Sequence, residues 1–222
     1  MKKCLLCSKL SFGLNKVLSF FGLCLNCHSI NIKTYDSPNR IENINSSAPS
    51  CACENNSMSF YSPGVVKSSE RLALFIFDPI FKLSKDGRVK PNAFSHVRTR
   101  GRSVQRDDIA TPNELISFTK SFLSNKPERV WKGVLLASCE DIRAIKLYDS
   151  INKYVCVYDT GEKDNPAHAE IGQSQYVIEE ADNNELRFEL LKAFDNGVLT
   201  ESILYKNGTI MKSLPLDLQL RN

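Results

Sequence analysis

The chain has 222 residues, of which 42% are hydrophobic and 24% are charged, and its formal net charge is +4. This composition is typical of a globular protein and excludes collagen-like, fully disordered and polytopic membrane proteins. At roughly 100–200 residues per domain, the length predicts one medium domain with an appendage, or two small domains.

Eight cysteines are the unusual feature, and six of them lie within the first 53 residues. Cys4 and Cys7 form one C-x₂-C pair, Cys24 and Cys27 form a second, and sixteen residues separate the pairs. This spacing is typical of zinc sites, in which two tight turns supply four thiolates to a closed tetrahedral shell. Because a closed shell leaves no position for water or substrate, the spacing predicts a structural zinc site. A shell of four thiolates also accepts iron.

The segment that carries these four cysteines resembles the short paired zinc knuckles that head many small bacterial proteins. We therefore expect residues 1–30 to form a zinc-knuckle module. Reduced, metal-binding thiols predict a cytoplasmic protein, because an oxidising compartment would pair them. One alternative is four unligated thiols, and another is a secretory signal peptide, since Lys2, Lys3 and Lys9 precede an apolar run over residues 17–25.

Residues 31–62 are rich in Asn, Ser and Pro and predict a flexible polar linker. We expect residues 63–222 to form an α+β domain with a mixed sheet, because predicted strands and helices follow one another there without regular alternation. The remaining four cysteines suggest no role; they are Cys51, Cys53, Cys139 and Cys156.

The domain's first apolar run, residues 71–77, fits either a short capped helix or a buried strand. Positive charge is concentrated just after it: residues 82–106 carry a net charge of +7, whereas residues 1–81 carry +3 and residues 107–222 carry −6. The net charge of +4 therefore hides two opposed segments.

Four arginines, Arg98, Arg100, Arg102 and Arg106, lie an even number of residues apart in the basic segment. In a strand they would point to one face, where guanidinium groups bind phosphates or carboxylates through two hydrogen bonds each. We therefore predict an anion-binding strand, with Ser103 as a further ligand. The alternatives are an exposed edge strand protected by charge, or arginines neutralised by the acidic C-terminal half.

Further along the chain, Thr111, Pro112 and Glu114 form a helix-start signal that predicts a helix to about Leu123. Apolar spacing and turn residues predict the remaining elements. They are strands over 131–138, 142–148 and 154–158, a helix over 183–194, and a hairpin over 203–212.

Residues 159–170 follow a predicted strand and contain a histidine with carboxylates on both sides. Neighbouring carboxylates raise the pKa of a histidine, which suits general acid–base chemistry. His168 and Glu170 are therefore candidate catalytic residues, and His96, next to the arginines, is a third. If the two segments lie side by side, these residues form one site together with Ser103 and Arg106.

His168-Ala169-Glu170 matches the H-x-E of zinc nucleobase deaminases, but no P-C-x-x-C follows, so that class is excluded. We expect a zinc-containing protein whose domain binds a phosphate-bearing ligand, most simply nucleic acid or a nucleotide, or else a protein partner. The alternative is an enzyme that hydrolyses nucleotides or nucleic acid, or transfers a group, with His168 or His96 as general acid or base. No apolar run approaches eighteen residues, so no membrane partner is expected.

Overall fold

A computed structural model describes residues 23–199, apart from residues 125, 127, 149 and 150. Two of the predicted zinc ligands, Cys4 and Cys7, and the predicted hairpin over 203–212 lie outside the described residues. Within the described part of the chain, none of the helices has the length and apolar character needed to span a bilayer.

The described chain folds into a five-stranded sheet with helices on both faces. In the order in which they lie in the sheet, the strands are β3 (Val130–Ser138), β1 (Arg71–Asp78), β2 (Arg102–Arg106), β5 (His168–Gln173) and β4 (Val155–Asp159). The helices are α1 (Leu25–Thr34), α2 (Arg40–Ser47), α3 (Pro112–Ser124), α4 (Cys139–Ala144) and α5 (Glu180–Ala193). The α+β prediction is confirmed, but the described strands pair antiparallel throughout, so the sheet is not mixed.

The ambiguous run at 71–77 is the central strand β1. It is apolar at nearly every position because both of its faces are covered. Leu72, Leu74 and Ile76 belong to the core beneath α5, while Phe75 and Phe77 pack against α3 on the other face.

The start of α3 is confirmed in atomic detail. Thr111 Oγ1 accepts a hydrogen bond from the Glu114 backbone N–H at 3.3 Å, and Glu114 Oε2 accepts one from the Thr111 N–H at 2.6 Å. Each side chain thereby satisfies a backbone group that the first helical turn leaves without a partner.

The predicted strand over 142–148 is wrong: α4 begins at Cys139, because the side chain of Ser138 accepts a hydrogen bond from the Asp141 N–H and caps a helix.

The structure differs from the linker expected over 31–62, because this segment packs on the sheet. Ile41 and Ile44 of α2 are fully buried, and Ile41 lies so close to the sheet that a Cβ on Gly172 would come within 2.8 Å of its side chain. Polar residues contribute as well, since Asn45 donates to the backbone carbonyl of Gln173 at 2.9 Å. A few well-placed apolar residues thus hold a segment whose composition is that of a linker.

Disulfides also hold this segment. Cys53 pairs with Cys27 on α1, and Cys51 pairs with Cys156 on β4. Cys24 is disulfide-bonded too, and Cys139 is the free, buried cysteine of the described residues.

Candidate functional site

A cavity of about 500 Å³ lies between residues 31–62, which we call the N-terminal segment, and strands β2 and β5. We call it the site cavity. One wall comes from the segment between α1 and α2 together with the start of α2, and consists of Tyr35, Asp36, Ser37 and Arg40. The remaining lining residues come from the start of β2 and from β5 with the loop before it; they are His96, Arg100, Gly101, Arg102, Ser103, Glu162, His168 and Glu170.

Strand register brings the polar groups of β2 and β5 together. Ser103 lies directly opposite Glu170, and Gln105 lies opposite His168. Residues directly opposite one another share a face of the sheet, and alternate residues of one strand share it too. Ser103, His168 and Glu170 therefore lie on the face that the N-terminal segment covers.

Glu170 is the buried anion of the site cavity. Arg40 Nη1 donates to its Oε1 at 2.8 Å, and both side chains are 5% exposed. Arg40 is held in turn by Asn31 Oδ1 and by the ring of Tyr35, whose centroid is 5.2 Å away. Glu170 Oε2 is buried without a hydrogen-bond partner among the described residues. Burial raises the pKa of Glu170, and the charges of Arg40 and His168 oppose the shift.

His168 is held through one ring nitrogen. Its Nδ1 lies 2.9 Å from Thr160 Oγ1 and 3.3 Å from the Thr160 carbonyl oxygen, and the Glu162 carboxylate is 3.9 Å away. Glu162 itself accepts a hydrogen bond from the Tyr35 hydroxyl at 2.8 Å. Burial and this hydrogen bond raise the pKa of Tyr35 to about 12. Nε2 of His168 makes no hydrogen bond to any described residue and is the nitrogen available to the site cavity.

Basic side chains also line the site cavity. Arg102 makes no ion pair or hydrogen bond to a described residue, and its guanidinium lies 5.1 Å from the ring centroid of Phe81. Burial lowers its pKa to about 10. Arg100 is exposed and has no partner among the described residues either. Burial lowers the pKa of His96, and the charges of Arg102, Arg100 and Arg187 add to that effect, so three guanidinium groups lie near this imidazole.

The structure gathers six of the residues predicted from the sequence around the site cavity. They are His96, Arg100, Arg102, Ser103, His168 and Glu170. Arg102 lines the cavity although strand alternation places it on the other face of the sheet, with Val104. The predicted site therefore spans the start of β2 rather than one face of a long strand.

Arg98 and Arg106 lie elsewhere, contrary to the predicted arginine stripe. Arg98 is exposed and pairs with Glu42 at 3.2 Å, while Arg106 is buried between Glu70 at 2.7 Å and Asp159 at 3.4 Å. The stripe does not form because β2 begins only at Arg102, after Arg98 and Arg100, and because carboxylates hold Arg106 at the other end of the strand. The residues before β2 turn, with the backbone N–H groups of Thr99 and Gly101 both donating to the carbonyl of His96.

Sequence reasoning missed the wall formed by Tyr35, Asp36, Ser37 and Arg40, because these residues lie in the segment interpreted as a linker. Ile41 and Ile44, one helical turn apart, were the signal that could have revealed α2.

The zinc-knuckle prediction is not tested by the described residues, since two of its ligands lie outside them. The other two, Cys24 and Cys27, have their sulfurs in disulfides here. Across the described ranges, no group of three or more His, Cys, Asp or Glu side chains is arranged to hold a metal ion.

Comparison of the chain with models of known protein families, with curated proteins and with solved structures gives no significant match. Function must therefore be argued from the site itself, which is also the sounder basis, because one fold can carry many activities.

Proposed function

We propose that the site cavity binds a small phosphate-bearing ligand of about mononucleotide size, with the phosphate at Arg100 and Arg102. The observation that carries the proposal is the guanidinium of Arg102, which has no hydrogen-bond or ion-pair partner among the described residues. A volume of about 500 Å³ is within the range of small-molecule sites.

Arg102 stands out when it is compared with the other sheltered arginines. Arg40 pairs with Glu170, Arg106 pairs with Glu70, and Arg143 pairs with Glu54. A sheltered cation without a partner costs free energy, and such groups are normally paired or used for binding. A phosphate would supply the charge and the acceptor oxygens that Arg102 lacks.

A nucleotide fits this arrangement better than a nucleic-acid strand. Binding along a polymer needs several cations spaced along the backbone, but Arg98 and Arg106 are already paired with carboxylates elsewhere. Arg100 and Arg102 are the two predicted arginines that line the site cavity, which suits a single phosphate group.

Calorimetric titration with inorganic phosphate and with adenosine 5′-monophosphate tests the proposal. Loss of a charge-assisted hydrogen bond of about 1.5–3 kcal/mol should weaken binding to R102A about ten- to a hundredfold. The matched control is R98A, which removes the same charge from an exposed arginine outside the site cavity. Equal affinities of R102A and the wild type contradict the proposal. Tighter binding of a single-stranded oligonucleotide, with a steep salt dependence, would instead favour nucleic acid.

A second candidate function is hydrolysis or group transfer on the bound phosphate ester. It is favoured because His168, Glu170 and His96 line the same cavity as the arginines. Thr160 fixes Nδ1 of His168, which leaves Nε2 to accept or donate a proton. Activity on p-nitrophenyl phosphate that is lost in H168Q and kept in H28Q, with equal melting temperatures, would support catalysis. Full activity of H168Q would contradict it.

Zinc binding and a cytoplasmic location remain predictions. They depend on each other, because both need reduced cysteines. The disulfides at Cys27 and Cys51 support an oxidising compartment instead. Metal analysis together with mass spectrometry of the unreduced protein distinguishes the two: about one equivalent of zinc supports the knuckle, whereas intact disulfides without zinc contradict it.

Exposed apolar side chains, including Ile151 and Ile178, leave a protein partner as a further prediction.

A further inference from the structure

The site cavity is lined by two chemically different groups of residues. Arg100, Arg102 and His96 form a basic group, while Glu170, Glu162 and Asp36 form an acidic group. A phosphate matches the first group only. The second group calls for hydrogen-bond donors on the same ligand, because carboxylates accept hydrogen bonds and do not donate them.

Two unsatisfied atoms belong to the pair that Arg40 and Glu170 form. Among the described residues, Glu170 Oε2 is a buried acceptor without a donor, and Arg40 Nε is a buried donor without an acceptor. Both belong to side chains that line the site cavity and are joined by the 2.8 Å ion pair. Buried polar atoms without partners are rare in folded proteins. A hydroxyl group can donate to a carboxylate and can also accept from a guanidinium, whereas an ammonium can only donate.

Further groups extend this polar face. Ser103 lies directly opposite Glu170 and is exposed, and its hydroxyl makes no hydrogen bond to a described residue. His168, two residues from Glu170 on the same strand, offers Nε2. Neighbours on one sheet face are about 5–7 Å apart, so one ligand that carries several hydroxyl groups can reach more than one of these side chains.

We propose that the ligand is a phosphate ester of a polyol, either a sugar phosphate or the ribose phosphate of a nucleotide. Glu170, Arg40 and Ser103 bind its hydroxyl groups. The inference rests on the proposed function, because it takes the phosphate to lie at Arg100 and Arg102.

The test compares two phosphate esters with the same ring. Ribose 5-phosphate carries hydroxyl groups, and tetrahydrofurfuryl phosphate has the same ring and phosphate without them. In calorimetric titrations the wild type should bind ribose 5-phosphate about ten- to a hundredfold more tightly, as expected for one charge-assisted hydrogen bond. Equal binding of the two esters overturns the inference and leaves the proposed function standing. Binding of neither ester, nor of inorganic phosphate, overturns both.

Two variants assign the preference to residues. E170Q should remove the preference for ribose 5-phosphate while the affinity for tetrahydrofurfuryl phosphate stays the same. Because E170Q leaves the buried Arg40 without its anion and can unfold the protein, S103A provides an independent test. S103A should reduce the preference several-fold, whereas S46A, which removes an exposed serine hydroxyl on α2, should not. An unchanged preference in S103A and in folded E170Q contradicts the assignment.

The same titrations separate the two sources of a polyol phosphate. Tighter binding of adenosine 5′-monophosphate than of ribose 5-phosphate supports a nucleotide. Equal binding of the two supports a free sugar phosphate.

Discussion

Arg106, at the end of β2, is buried between two carboxylates, and we expect its side chain to stabilise the fold. Its side chain is 1% exposed. Nε and Nη2 donate to the two oxygens of Glu70 at 2.7 and 2.8 Å, and Nη1 donates to the Gly64 carbonyl at 2.6 Å. Asp159 lies 3.4 Å from Nη1.

R106A would leave two buried carboxylates without their cation. Removing one partner of a buried ion pair costs about 3–5 kcal/mol, a large share of the roughly 5–15 kcal/mol that stabilises a typical protein. We therefore expect R106A to lower the free energy of unfolding by about 3–5 kcal/mol and to leave the ligand affinity of the remaining folded protein unchanged. R98A, whose exposed pair with Glu42 contributes about 0–1 kcal/mol, is the control.

Urea unfolding measures the effect. The single tryptophan, Trp131, is buried on β3 and reports unfolding by its fluorescence. An R106A protein as stable as R98A would refute the structural role of Arg106. A stable R106A protein that has lost phosphate binding would restore the ligand-binding role predicted from the sequence.

Three further changes have expected outcomes. Breaking the Cys51–Cys156 disulfide with paired serine substitutions should cost about 2–5 kcal/mol in thermal unfolding and weaken phosphate binding, because the segment it anchors forms one wall of the site cavity; unchanged affinity would contradict that link. T111A should cost about 1 kcal/mol through the lost helix cap and leave phosphate affinity unchanged. The lowered pKa of His96 makes the folded state bind a proton less readily than the unfolded state. The free energy of unfolding should therefore fall as pH drops below about 6.5, and the fall should be shallower in H96Q; identical pH profiles would contradict this.

Local signals in the sequence identified much of the fold. The helix at Thr111 was predicted because its capping groups lie within three residues of one another, and β3 and β4 were predicted from their apolar runs. The sequence predicts a strand over 142–148 because the helix found there, α4, is only six residues long. Its buried residues, Cys139 and Ile142, are too few to show helical periodicity. The Ser138 side chain caps this helix: it accepts from the Asp141 N–H and donates to the Asp141 carboxylate.

The site was only partly predictable for a related reason. The sequence suggested His96, Ser103, His168 and Glu170, whose residue types carry the expected chemistry. It could not show that Arg40 reaches Glu170, because 130 residues separate them and their contact depends on how the N-terminal segment packs. Nor could it show that β2 starts at Arg102, after Arg98 and Arg100, or that Glu70 and Asp159 hold Arg106 at the other end of the strand.

The most direct test of the proposed site is a nuclear magnetic resonance titration that follows the Nε–H signals of the arginines while inorganic phosphate is added. The Arg102 signal should shift progressively to saturation, while those of Arg98 and Arg106 should stay in place because carboxylates already hold them. An unmoved Arg102 signal at saturating phosphate, or a shift centred on Arg98, would contradict the proposed site.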